Sequence, residues 1–240
     1  MLLSIVLGIV AALADVFGGL ILVRREWPQQ YLRYFVALGA GFMMAVALLE
    51  MVPESLKFPS VWEPILILVG YCAIHLLEHT ITPHFHFGEE THHHEFVSAH
   101  TGNSVLAGLA AHALFDGVAI GSGFVLSNVL GWLIFIAIFL HKMPEGFTVA
   151  SVMMASGRSR RTALVSAVVL ALATVIGVLA ITLVPGWVAA GLPLSAGVAI
   201  YVAATDLVPE VNREPGIRMA LVFFAGVLLF VILKLLAPQI

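Results

Sequence analysis

The chain has 240 residues, of which 61% are hydrophobic and only 10% charged, with a mean hydropathy of +1.06 and a formal net charge of -3. That composition excludes the mixed-charge surface of a soluble domain and makes lipid the solvent for most of the chain. The acidic balance, with no basic stripe interleaved with aromatics, excludes a nucleic-acid partner.

A spanning helix needs roughly 20 apolar residues. Apolar runs bounded by charges, Pro and Gly place predicted spans near residues 2–23, 34–55, 64–82, 103–126, 130–156, 162–184, 189–209 and 217–236. The expected fold is an all-α integral membrane protein of eight transmembrane helices, one transmembrane domain over residues 1–240 with no room for a second, soluble one. The first run lacks the basic segment and cleavage site of a secretory signal and reads as a span that stays attached. Trp27, Trp62, Trp132 and Trp187 fall at or near span ends, where an amphipathic ring suits the headgroup layer. Arg24, Arg25, Arg33, Arg158, Arg160, Arg161, Arg213 and Arg218 lie in or beside the loops after spans 1, 5 and 7, whereas Lys57 and Lys234 fall on the opposite side. Because Lys and Arg accumulate on the cytoplasmic side, this split places both termini outside.

Span 2 carries GAGFMMAVALLEMVPES, from Gly39 to Ser55, and ends in Glu50 and Glu54. Span 3 contains the lone cysteine, Cys72, which reads as a buried small hydrophobe, and closes on HLLEH, His75 to His79. That motif matches the inverted zinc-protease pattern His-x-x-Glu-His, so an intramembrane metalloprotease using His75, Glu78 and His79 is one reading; a relay for metal leaving the membrane is the preferred one. The loop at residues 83–102 holds His84, His86, His92, His93, His94 and His100 with Glu89, Glu90 and Glu95, a composition suited to weak metal binding on the cytosolic side.

Spans 4 and 5 hold HALFDG, His112 to Gly117, and HKMPEG, His141 to Gly146. Residues four apart stack on one helix face, so His112 with Asp116 and His141 with Glu145 each present an imidazole beside a carboxylate, and two such helices can assemble a four-ligand site. Polar groups in mid-membrane cost roughly 2.5–3.5 kcal/mol per charged residue on insertion scales, and a bound divalent cation offsets that. Imidazole with carboxylate suits zinc and also accepts iron, nickel or manganese. Pro144 cannot donate to the carbonyl of Leu140 and is expected to open the helix there. Gly108, Gly117, Gly121, Gly123 and Gly146 are expected to allow close approach of neighbouring helices.

Span 7 contains SAGVAIYVAATDLVPEV, from Ser195 to Val211, whose Asp206 and Glu210 repeat the acid-x-x-Pro-Glu of span 2. The two copies run in opposite directions across the membrane, which is what an inverted repeat of spans 1–3 and 6–8 about a central pair predicts. Glu50 and Glu54 would then attract cations at the outer end, and Asp206 and Glu210 would serve the inner one.

Together these residues resemble the ZIP (Zrt-, Irt-like Protein) metal transporters, with the likeness running along essentially the whole chain. The resemblance implies a 3+2+3 helix arrangement, alternating access, a homodimer, and a transport site with His112, Asp116, His141 and Glu145 as ligands. By the same resemblance Met43 would add a thioether. The sequence departs from the family's two-metal pattern at Ala113, Lys142 and Thr174, which predicts one ion per transport site, with the Lys142 ammonium in place of the second cation unless it snorkels to water. The expected substrate is Zn2+, with Fe2+, Mn2+ or Cd2+ as alternatives, carried into the cytosol across a prokaryote-like cytoplasmic membrane. A metal sensor without flux is the remaining rival.

Overall fold

The computed structural model describes residues 2–24, 29–58, 61–80, 99–213 and 217–236, and among them the secondary structure is entirely helical. Eight rods follow one another. They are α1 (Leu2–Arg24), α2 (Gln29–Val46, extended through Ala47–Met51 to Val52–Ser55), α3 (Glu63–Thr80), α4 (Ala99–Leu126), α5 (Asn128–Ala155), α6 (Arg160–Leu183), α7 (Val188–Tyr201, extended through Val202–Leu207 to Val208–Arg213) and α8 (Ile217–Leu236). Seven of them are long and apolar enough to cross a membrane; α3 is not among the seven. Its 18 residues include Glu63, His75, Glu78 and His79, which dilute an otherwise apolar run.

Where the chain turns, the local chemistry is visible. Ser127 and Ser159 cap α5 and α6, each hydroxyl accepting from a backbone N–H three residues on at 3.1 Å. Between those helices Gly157 adopts φ +77°, and the N–H groups of Gly157 and Arg158 donate to the carbonyls of Met154 and Met153. This left-handed helix stop favours glycine.

The bundle is apolar outside and polar within. Leu13, Phe17, Leu172, Ile176, Phe224 and Leu228 face outward, while Asp15, His112, Asp116, His141, Lys142 and Glu145 are all buried. Cys72, expected inside, is exposed on α3 beside Leu68, Val69 and Leu76, because the apolar run there faces outward, away from the core. The most enclosed rod is α5, with 72% of its apolar window buried, against 17% for α8.

Packing partners come in matched pairs. α2 packs on α8 as α3 packs on α7, α1 on α5 as α6 on α4, and α2 on α5 as α7 on α4. The glycines at these seams match too. A Cβ on Gly41 would strike the carbonyl of Phe223, and one on Gly226 that of Leu38; at the α3–α7 seam Gly70 meets Leu194 and Gly197 meets Ile67 in the same way. Glycine is what lets these backbones touch.

α2 and α7 share one deformation. Each widens into a π-helical stretch, Ala47–Met51 and Val202–Leu207, shortly before Pro53 and Pro209. Proline lacks an N–H and crowds the carbonyl four residues back, and an added residue in the turn relieves both defects. Pro144 does not open its helix as expected: α5 stays α-helical from Asn128 to Ala155. It is buried in the packed centre, and the regular turn there keeps His141 and Glu145 on one face.

One end of the bundle gathers arginines: Arg158 donates to Asn103 Oδ1 and Arg160 to the carbonyl of Val23, tying α1, α4, α5 and α6 together. The opposite end holds Lys57 and Lys234, and the exposed rings of Trp62, Trp132 and Trp187 stand at the N-terminal ends of α3, α5 and α7. Trp27 and Arg25 lie outside the described residues, as does the histidine-rich segment apart from the backbone of its last residues.

Candidate metal centre

α4 and α5 cross with their half-polar faces together. His112 and Asp116 stand one turn apart on α4, His141 and Glu145 one turn apart on α5, and one ligand atom from each lies within 4.8 Å of all the others, every residue buried. This is the only such group of three or more among the described residues.

Asp116 Oδ2 is the hub. It lies 3.2 Å from His112 Nε2, 3.4 Å from His141 Nε2 and 2.9 Å from Lys142 Nζ. His141 Nδ1 sits 2.9 Å from the carbonyl of Ala137; a carbonyl only accepts, so that nitrogen carries the proton and Nε2 is left as the donor atom for a metal. Neither ring nitrogen of His112 has a hydrogen bond, and Glu145 Oε1 has none either. A tetrahedral zinc with arms of roughly 2.0–2.2 Å has ligand–ligand edges of roughly 3.3–3.6 Å. The contacts at 3.2 and 3.4 Å lie close to that figure, and Glu145 Oε1 and one nitrogen of the His112 ring offer lone pairs, free of hydrogen bonds, that a cation would fill.

Lys142 is fully buried, so it does not snorkel. Its ammonium donates to Glu145 Oε2 at 2.6 Å and also faces Asp116. A third carboxylate, Asp15 on α1, reaches the same ammonium at 3.6 Å. The sequence reading missed Asp15, although an acid inside an apolar run is itself a signal of function. α1 comes this close because Gly146 lacks a Cβ, which would strike the Asp15 carbonyl.

On the other side of the tetrad Ala113 packs with Val149, Ala167 and Leu170 in a wholly apolar cluster. The Thr174 hydroxyl turns back to the carbonyl of Leu170 in its own helix. Met43 lines a small, mainly apolar cavity with Met51 and Asp116.

The remaining predicted residues lie elsewhere. Glu50 pairs with Lys234 at 2.6 Å, and Lys234 also donates to the carbonyl of Leu49 in the π-helical stretch. Glu54 pairs with Lys57 at 2.5 Å, and its carboxylate holds the lysine above its ordinary value. At the far end of α3 the rings of His75 and His79 lie 4.0 Å apart, with His79 Nδ1 donating to the His75 carbonyl. Glu78 is directed to α7, where it accepts from the Tyr201 hydroxyl at 2.8 Å. Among the described residues no third ligand joins His75 and His79, and Glu78 is engaged by Tyr201, so the protease reading is not favoured. Asp206 is buried in the π-helical stretch of α7; the Glu210 side chain lies outside the described residues.

The human zinc transporter SLC39A7 is 32% identical over 153 residues, covering 56% of this chain. Zinc transporter ZIP9 of Xenopus tropicalis is 26% identical over 248 residues, covering 81% of this chain and 80% of its own length. The chain spans only 31% of the length of the human SLC39A7 protein. The family model described as ZIP Zinc transporter matches residues 97–234, more than half of the chain and all four converging residues, and the chain therefore belongs to the ZIP zinc transporter family.

Proposed function

We propose that the protein carries a divalent transition metal, zinc first, across the cytoplasmic membrane into the cytosol. The observation that carries this reading is the convergence of His112, Asp116, His141 and Glu145 in the buried centre of the bundle. Two imidazoles and two carboxylates make a hard-to-borderline donor set suited to zinc and usable by Fe2+, Mn2+ or Cd2+. Met43 would lend a soft contact, a reading supported by its lining the same cavity as Asp116. The apolar packing around Ala113 supports one ion per site, with Lys142 as a fixed cation on the other side.

The transport cycle is alternating access in a 3+2+3 inverted repeat, with α3 as the eighth span. The matched packing partners, the matched glycine seams and the twin π-helical stretches support exchange of α1, α2 and α3 with α6, α7 and α8, and of α4 with α5. Metal enters past Glu50 and Glu54, is held by the tetrad, and leaves toward His75, His79 and the histidine-rich segment. The arginine-bearing end is cytosolic and both termini are outside. The functional unit is a homodimer in contact with membrane lipids, by family likeness.

The test is zinc flux into sealed vesicles containing the purified chain. The unaltered protein accumulates zinc and binds one ion per chain at the site. A variant with His112→Ala and Glu145→Ala together loses the flux; undiminished accumulation by that variant removes the tetrad from the mechanism. Binding without flux in the unaltered protein would make the chain a sensor.

A further inference from the structure

Asp15 needs an explanation that the four-ligand site does not provide. It is fully buried, and neither of its oxygens has a hydrogen bond. Its ion-pair partner is the Lys142 ammonium at 3.6 Å, and that ammonium is also bound to Asp116 at 2.9 Å and Glu145 at 2.6 Å. An ammonium has three donor hydrogens, and here it stands among three carboxylates.

The other half of the bundle shows what happens without this pair. The seam that brings Asp15 to the site, with its carbonyl against Gly146, is matched by the seam where the Thr174 carbonyl meets Gly117. Thr174 therefore occupies on α6 the place Asp15 occupies on α1, and Ala113, next to His112, is the counterpart of Lys142, next to His141. One half has both the acid and the base, and the other has neither. Charge is conserved between the two arrangements, which is what a site tuned to a fixed total requires.

We propose that Asp15 is a positioning residue that anchors the Lys142 ammonium between α1 and α5 and sets the charge of the empty centre. With Asp15 ionised beside the ammonium, three carboxylates against one ammonium leave two net negative charges, the complement of a single divalent cation. Without Asp15 the ammonium would cancel half the attraction of Asp116 and Glu145. This inference rests on the tetrad being the metal site.

The experiment uses the full chain in detergent, with Zn2+ titrated against a competing chelator, for Asp15→Asn, Lys142→Met and the double variant. Asp15→Asn weakens zinc binding at least tenfold. The double variant, which again holds two net negative charges, recovers to within about threefold of the unaltered protein. A charge-independent packing role for Asp15 predicts no such recovery. Unchanged affinity in Asp15→Asn, or a double variant as weak as the single, overturns the proposal.

The melting temperatures of the metal-free proteins supply a second measurement. Lys142→Met alone crowds three uncompensated carboxylates and melts lowest, and adding Asp15→Asn raises the melting temperature. If the unaltered chain binds no zinc, the transport-site reading fails, while the melting order still decides whether Asp15 and Lys142 are partners: a double variant that melts below Lys142→Met shows that they are not.

Discussion

Asp116→Asn is the sharpest test of the centre, because three separate groups converge on one oxygen, Oδ2. The substitution keeps the shape of the side chain and opens no cavity, so what it removes is charge. At 2.9 Å and an effective dielectric of about 20, the gross attraction between Asp116 and Lys142 is about 6 kcal/mol. Much of that offsets desolvation, and breaking one partner of a buried ion pair costs about 3–5 kcal/mol. A zinc ion held in the same place loses a carboxylate of the same kind, so a penalty of that size corresponds to a loss of affinity of about a hundredfold to a few thousandfold. Chelator competition in detergent measures it directly, and His112→Ala, which removes a ligand from the edge of the cluster, is the comparison. Asp116→Asn is expected to be the more damaging. A zinc affinity within about threefold of the unaltered protein would refute the placement of Asp116 at the centre.

Three further outcomes follow from the geometry. Gly177→Leu drives a side chain into the carbonyl of Leu114 across the α4–α6 seam, and lowers stability by at least about 1–3 kcal/mol, read as a lower melting temperature; Gly186→Ala, with open space around it, leaves melting unchanged. Lys234→Gln releases Glu50 at a half-exposed pair, changing stability by less than about 1 kcal/mol while raising zinc uptake at low ionic strength, an effect that salt abolishes. Zinc binding releases protons and weakens on acidification, because imidazole and carboxylate ligands bind a metal only when deprotonated; an affinity that does not fall between neutral and strongly acid pH would count against the tetrad as the ligand set.

What the sequence made legible was whatever repeats at helical spacing. HALFDG and HKMPEG put two ligands on each of two faces whatever the surrounding packing, so the tetrad could be read before any fold was known. The span limits followed from apolar length alone, with α3 as the marginal case because its own polar residues dilute it. Asp15 was not legible in the same way: nothing else on α1 marks it, and its partner lies 127 positions further along the chain at Lys142. The effect of Pro144 was misjudged because ring chemistry is local and its consequence is not. Pro53 and Pro209 widen helices near their ends, where a turn can take an extra residue, while Pro144 is gripped on all sides and is absorbed without a break.

That contrast bears on how the centre works. The faces of α4 and α5 that carry the tetrad are regular, and the departures from regularity lie in α2 and α7, the helices that pack against them. A π-helical turn is a place where hydrogen bonds can be exchanged at small energetic cost, whereas the α-helical turns joining His112 to Asp116 and His141 to Glu145 hold each ligand pair at one spacing. The two imidazole–carboxylate pairs therefore sit on regular turns, and the irregular turns lie in the helices packed around them. The buried charges follow the same division. An ammonium held by three carboxylates from three helices ties α1, α4 and α5 together at the level of the tetrad, whereas the seams of α2 with α8 and α3 with α7 are lined by glycine.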